Sequence, residues 1–88
     1  TALVEWVHPE DREEYLRVTQ QARAARRAYR HEFRLRRHDG AYRWVINTAT
    51  PRSNDDGVWL GYIGSILDIE DRKRLEDELR TLARDLSD

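Results

Sequence analysis

GYIGSILDIEDRKRLEDEL, residues 61–79, changes its period once, at Asp68. Before Asp68 the run is apolar on both faces, the pattern of a strand, with Gly61 and Gly64 placed where a bulky neighbour approaches closely. After it, Leu75, Leu79, Leu82 and Leu86 recur at steps of four, three and four. That is the a/d seam of a coiled coil, with polar residues between. Asp68 is a good N-cap, and Glu70 and Asp71 put negative charge in the first turn, where the helix dipole favours it. A strand therefore passes straight into a helix. A helix of this length is marginal alone and needs a partner surface. Packing back on its own sheet would serve, but strict heptad spacing favours a coiled-coil seam.

Upstream, the same logic yields two more strands and a helix. YRHEFRLRRH, from Tyr29, alternates Phe33 and Leu35 with Arg34 and Arg36, the period-two pattern of a strand with one buried face. Asp39-Gly40 is a hairpin signal, AYRWVINTAT the second strand, SNDDG a loop, and VWLGYIGSILDI the third strand. Pro9 suits a first helical position, and Glu10, Asp11, Glu13 and Glu14 suit a helix N-terminus. Tyr15, Val18, Ala22 and Ala25, with Leu16 beside them, make one thin apolar face. The expected helix runs from residue 9 to about 27 and lies against the sheet.

Composition narrows the functions. The chain has 88 residues, room for one domain, with 39% hydrophobic and 38% charged residues. Cysteine is absent, which excludes disulfides, thiolate metal sites, thiol nucleophiles and cysteinyl adducts. No apolar run approaches the roughly 20 residues of a membrane span, and no signal peptide opens the sequence, so a cytoplasmic domain without membrane contact is expected. The net charge of −1 hides an asymmetry, because residues 20–52 carry nine arginines against Glu32 and Asp39. Such a centre reads either as an anion or nucleic-acid patch or as a solvated face that meets the acidic helices. The absence of a stacking-aromatic motif beside the arginines favours the second.

VHPEDREEYL, EFRLRRHDGAYRWV and TPRSNDDGVWLGYIGSILDIEDRKRLEDEL together resemble the C-terminal two-thirds of a PAS domain, including its PAC motif. The most specific parts are His8 to Arg12, the Asp39-Gly40 hairpin with Arg43-Trp44, and Gly61 to Gly64 running into Asp68-Ile69. The family usually continues Asp-Ile with Thr and then Glu-Arg-Lys. Here Glu70 stands for the Thr and Asp71 for the Glu, ahead of Arg72 and Lys73. The resemblance implies an α+β fold with a PAS-like antiparallel sheet, three strands of which are present. The family's usual first two strands are missing ahead of Thr1. It implies a sensory domain over residues 1–68 and a signalling helix over residues 69–88. It implies a binding and signalling module with no chemistry of its own, relaying a signal through that helix to an effector such as a histidine kinase or diguanylate cyclase. No cofactor is expected, because a flavin adduct needs a cysteine and the chain has none.

Alternation leaves the hairpin register open. A two- or four-residue loop sets Leu35 opposite Trp44, a three-residue loop opposite Val45, and one slip exchanges the faces. The resemblance favours the Val45 pairing. The pocket side then carries Phe33, Leu35, Val45, Asn47, Ala49, Leu60, Tyr62 and Ile66. The outer side carries Tyr42, Trp44, Ile46, Trp59, Ile63 and Leu67, more apolar surface than a soluble monomer leaves open. A homodimer is expected to bury Trp44, Trp59 and Ile63 together with Leu75, Leu79 and Leu82. At the junction, the resemblance implies that Asp68 caps the helix and pairs with Arg72. His8, His31 and His38 read as surface or capping histidines, and Asn47 as a buried hydrogen-bonded amide or a contact for a small polar ligand. Neither Asp55-Asp56 nor Ser53 and Ser65 has the placed base an enzyme needs. The alternative to a sensory module is a nucleic-acid or anion binder using the Arg-rich hairpin.

Overall fold

Two short 3-10 turns, Leu3–Trp6 and Pro9–Asp11, lead into helix α1 (Arg12–Ala24) in the computed structural model, which describes residues 3–87. Strands β1 (Tyr29–Arg36), β2 (Tyr42–Ser53) and β3 (Trp59–Asp68) follow, and helix α2 (Glu70–Ser87) comes last. The strands form one antiparallel sheet in the order β1-β2-β3. The α+β architecture is the one expected. Thr1, Ala2 and Asp88, the outermost residues of the two expected units, lie outside the described residues.

The first helix is shorter than its periodicity implies. The Nδ1 of His8 accepts the Glu10 N–H at 3.1 Å and Pro9 opens a 3-10 turn, so α1 proper starts three residues late. It stops at Ala24 because Arg26 takes a left-handed φ of 51°. The Arg27 N–H then returns to the Ala22 carbonyl at 2.9 Å and the Arg26 N–H to that of Arg23 at 3.1 Å, a Schellman ending. The buried face is Tyr15, Thr19 and Ala22, with Leu16 exposed. Thr19 is tolerated there because its hydroxyl donates to the Tyr15 carbonyl at 2.9 Å.

Tyr15 meets Phe33 edge-to-face at 5.1 Å, and these two with Val7 and Val45 make the core. Phe33 and Val7 are fully buried. Val7 forms a single bridge to Leu35, and the His8 N–H donates to the Arg34 carbonyl at 2.8 Å. The free edge of β1 is thus closed by the segment ahead of α1. The Asp11 carboxylate completes it. Instead of capping α1, it accepts the Arg34 backbone N–H at 2.9 Å and two guanidinium N–H groups at 2.9 and 2.8 Å.

The hairpin register differs from expectation by two residues. The Arg37 N–H donates to the Ala41 carbonyl at 2.7 Å, so the loop is 38–40, and Leu35 faces Arg43 while Phe33 faces Val45. A shift of two preserves the faces. A bulge in β3 does not. Gly61 has φ +104°, the register shifts between Arg52 and Ser53, and Trp59 pairs with Ser53. The extra residue exchanges the sides of Trp59 and Leu60. Trp59, expected outside, packs edge-on against Tyr62 at 5.4 Å on the α1 side, and Leu60, expected in the pocket, is exposed on the outer face. Gly64 answers a different need: a Cβ there would lie 2.7 Å from the Thr48 carbonyl oxygen.

Candidate functional site

Two places combine polar groups with packing. The first is an open cavity of about 510 Å³ between α1 and the sheet, lined in part by Tyr15, Arg23, Tyr29, Asn47, Tyr62 and Ile66. Of the expected pocket residues, Asn47, Tyr62 and Ile66 reach it, whereas Phe33 and Val45 lie in the closed core and Leu35 packs against that core. Tyr62 is anchored by its hydroxyl, which donates to the Arg27 carbonyl at 2.8 Å and lies 3.2 Å from that of Ala22. The sheet and the end of α1 are joined there. Asn47 is 7% exposed and lines this cavity. Arg23 and Tyr29 were not singled out as pocket residues. In the linear pattern Arg23 reads as a helix-end charge, and only the fold brings it over the Tyr62 ring, 5.1 Å from the centroid.

The second place is the β3–α2 junction. The Asp68 carboxylate accepts the Glu70 N–H at 2.9 Å, which caps the start of α2. Its ion-pair partner is Arg43 of β2, at 2.5 Å, and not Arg72 as expected. Arg72 turns to Glu32 of β1 at 2.7 Å, and Lys73 meets the same carboxylate at 2.8 Å. The reason is geometric. Asp68 closes the strand register opposite Val45, beside Arg43, while one turn of helix carries Arg72 over the face where Glu32 lies opposite Ile46. The Ile69 N–H donates to the Trp44 carbonyl at 2.9 Å, and the Glu70 carboxylate accepts the Trp44 N–H at 2.6 Å. Glu70, read from the sequence as a first-turn charge at the position where the family usually has Thr, thus reaches across to β2.

These contacts seat the first turn of α2 on the outer face. Lys73 lies 4.7 Å from the Trp44 ring centroid, with Arg34 at 5.5 Å. Trp44 is half-buried, and Ile46 and Ile69 are buried. Ile63 and Leu67 remain open at 53% and 63% exposure, as do Leu75, Leu79 and Leu82 at 58–66%. Two carboxyls of this network, Glu32 and Asp68, are held below their usual values. Glu32 is held down by hydrogen bonds from Lys73 and Arg72, and Asp68 by Arg43 and then the Glu70 N–H. At the far edge, hydrogen bonding from Arg34 does the same to Asp11.

Comparison with known proteins agrees with this architecture. Residues 1–66 match the family model described as the PAS fold, and the chain belongs to that family. It is 45% identical over 78 residues to the uncharacterized protein y4lL of Sinorhizobium fredii, spanning 89% of this chain and 9% of that one. It is 32% identical over 74 residues to the peroxide stress-activated histidine kinase mak1 of Schizosaccharomyces pombe, spanning 84% of this chain and 4% of the kinase. The chain thus covers under a tenth of the length of either relative. Among solved structures, a sensory box histidine kinase/response regulator from Burkholderia thailandensis superposes with a TM-score of 0.77 at 34% identity, covering 94% of this chain and 63% of that one.

Proposed function

We propose that the chain is a sensory and dimerisation PAS module of a larger cytoplasmic signalling protein, without catalytic activity of its own. Residues 1–68 form the sensing unit, and residues 69–88 carry its state to an effector such as a histidine kinase or diguanylate cyclase. The observation that carries this reading is the junction. Asp68, Glu70, Arg72 and Lys73 tie the start of α2 to β1 and β2, while the leucines further along α2 stay exposed. A shift of the sheet therefore reaches the helix through short polar contacts. The helix presents a seam that an identical copy fits, since heptad leucines in like chains are self-complementary.

The apolar surface open to a second copy differs from the one first expected. Trp59 belongs to the α1 side and Trp44 lies beneath Lys73, leaving Leu60, Ile63 and Leu67 on the outer face with Leu75, Leu79, Leu82 and Leu86 on α2. Sedimentation at micromolar concentration should give twice the chain mass. Leu79→Lys should return the monomer with the sheet intact, because Leu79 is exposed on its own helix. A wild-type chain that sediments as a cooperative, folded monomer would overturn the dimer.

The nucleic-acid reading has less support. Arg34, Arg37 and Arg43 of the hairpin are taken by Asp11, Asp39 and Asp68, and Arg36 lies over Trp6. Phosphate binding would have to displace these partners. A DNA titration with a steep negative salt slope would restore it.

A further inference from the structure

We infer that the free stem of α2 takes, in preference to a second copy of this chain, a leucine-seam helix whose flanking positions carry Lys or Arg. This goes beyond the signalling reading, because it turns on the charges beside the seam and not on the leucines. Leu75, Leu79, Leu82 and Leu86 are 58–86% exposed, and in heptad terms they occupy d, a, d and a. The positions that border such a seam are e and g. From Asp71 to Leu86 every g residue is a carboxylate, Asp71, Glu78 and Asp85, and the two e residues are Glu76 and Ala83. The basic residues of α2 all stand elsewhere: Arg72 at a, Lys73 and Arg80 at b, Arg74 at c and Arg84 at f.

The ion pairs follow this sorting. Arg72 and Lys73 turn to Glu32 of β1 at 2.7 and 2.8 Å, which takes Arg72 off the seam and leaves Leu75 as its first open residue. Glu76 is partly neutralised within the helix, by Arg72 at 3.3 Å and Lys73 at 4.0 Å. Asp77, at f, pairs with Arg80 at 3.2 Å. Glu78 and Asp85 make no ion pair among the described residues, although Arg74 stands one turn before Glu78. In a parallel coiled coil a g residue of one helix meets an e residue of the other, and in an antiparallel one g meets g and e meets e. In either orientation an identical copy offers these carboxylates only Glu, Asp or Ala. Self-pairing therefore rests on the leucines against like charge. A helix with Lys or Arg at e and g brings the same leucine contacts and opposite charge beside them, which is how flanking residues choose between partners.

Two synthetic three-heptad peptides test this on the intact chain by fluorescence anisotropy. Both carry Leu at a and d; one has Lys at every e and g and the other Glu, so that neither pairs with itself. At low salt the Lys peptide should bind about tenfold tighter or more than the Glu peptide. Salt of about 0.5 M should remove most of that difference by screening. Replacing both carboxylates, Glu78→Lys with Asp85→Lys, should invert the preference without moving the melt of the sheet, because both side chains are exposed on the stem. Sedimentation of the mixtures should show the Lys peptide taking the place of the second copy. Equal affinity for the two peptides, no binding of the Lys peptide, a preference that salt leaves intact, or one that the double variant retains would each overturn the inference. A dimer that the Lys peptide cannot dissociate overturns it too and leaves the signalling module standing. A monomer that binds the Lys peptide selectively keeps the inference and removes the dimer.

Discussion

Asp68 shows how one side chain can serve two elements. Its carboxylate caps α2 through the Glu70 N–H and pairs with Arg43 on β2, so the end of the strand and the start of the helix share one anion. Asp68→Ala should cost about 1 kcal/mol for the lost cap. It should also loosen the helix from the sheet, read as faster amide exchange at Glu70 and Asp71. Unchanged exchange and an unchanged melt would remove the junction role. Gly61 is a second residue of this kind. At φ +104° a side chain is strained even though a Cβ there would meet open space. Gly61→Val should destabilise by about 1 kcal/mol or more and disturb the bulge that turns Trp59 inward, measurable as a red shift of tryptophan emission.

At the scale of elements, α2 divides into a docked turn and a free stem. The docked turn depends on Glu32, which two cations of α2 share. Glu32→Gln should leave the sheet folded, because Glu32 sits on its face, but should release Arg72 and Lys73 and expose Trp44 to added quencher. If Trp44 stays shielded, the polar contacts are not what seats the helix. The strands differ in the same way. β1 has its outer edge closed by Val7, His8 and Asp11. The outer edge of β3 has no strand partner among the described residues. Neither Lys nor Pro occurs in residues 58–67 to discourage pairing there. Ile63→Lys on that strand should weaken self-association in sedimentation, and an unaltered dimer would place the contact on α2 alone.

For the whole molecule, acid is the informative variable. Asp11, Glu32 and Asp68 are all held below the ordinary carboxylate value by cationic or N–H donors. A depressed carboxylate contributes its full stability above the unfolded value of about 4, and loses it as pH falls through the folded value. The melting temperature should therefore be level from neutral pH down to about 5 and drop progressively below about 4. Asp11→Asn should blunt that drop, since Asp11 ties α1 to β1 through Arg34. A melt that is flat down to pH 2 would mean these pairs contribute nothing. The elongated shape, 59 × 30 × 20 Å, has the same origin as the proposed dimer: α2 leaves the sheet after one docked turn.

Element type was legible in the sequence because it follows from local period and turn chemistry. The change at Asp68, the alternation around Phe33 and Leu35, and Asp39-Gly40 are each written within a few residues. The side of the sheet on which a residue ends was only partly legible. Parity placed Asn47, Tyr62 and Ile66 together, but one bulge at Gly61 exchanged Trp59 and Leu60, and no local pattern marks where a strand takes an extra residue. The partners of charged groups were least legible. Asp11, Arg23 and Glu70 read as helix-end charges, since the dipole explains each one from its own segment, and Arg72 was expected at Asp68. Folding assigned them to Arg34, to the Tyr29–Tyr62 pair, to Trp44 and to Glu32. The contacts of Asp11, Glu70 and Arg72 span 23, 26 and 40 residues. Sequence determined what each segment would be; which ions and rings would meet depended on register and helix placement, which only the assembled sheet sets.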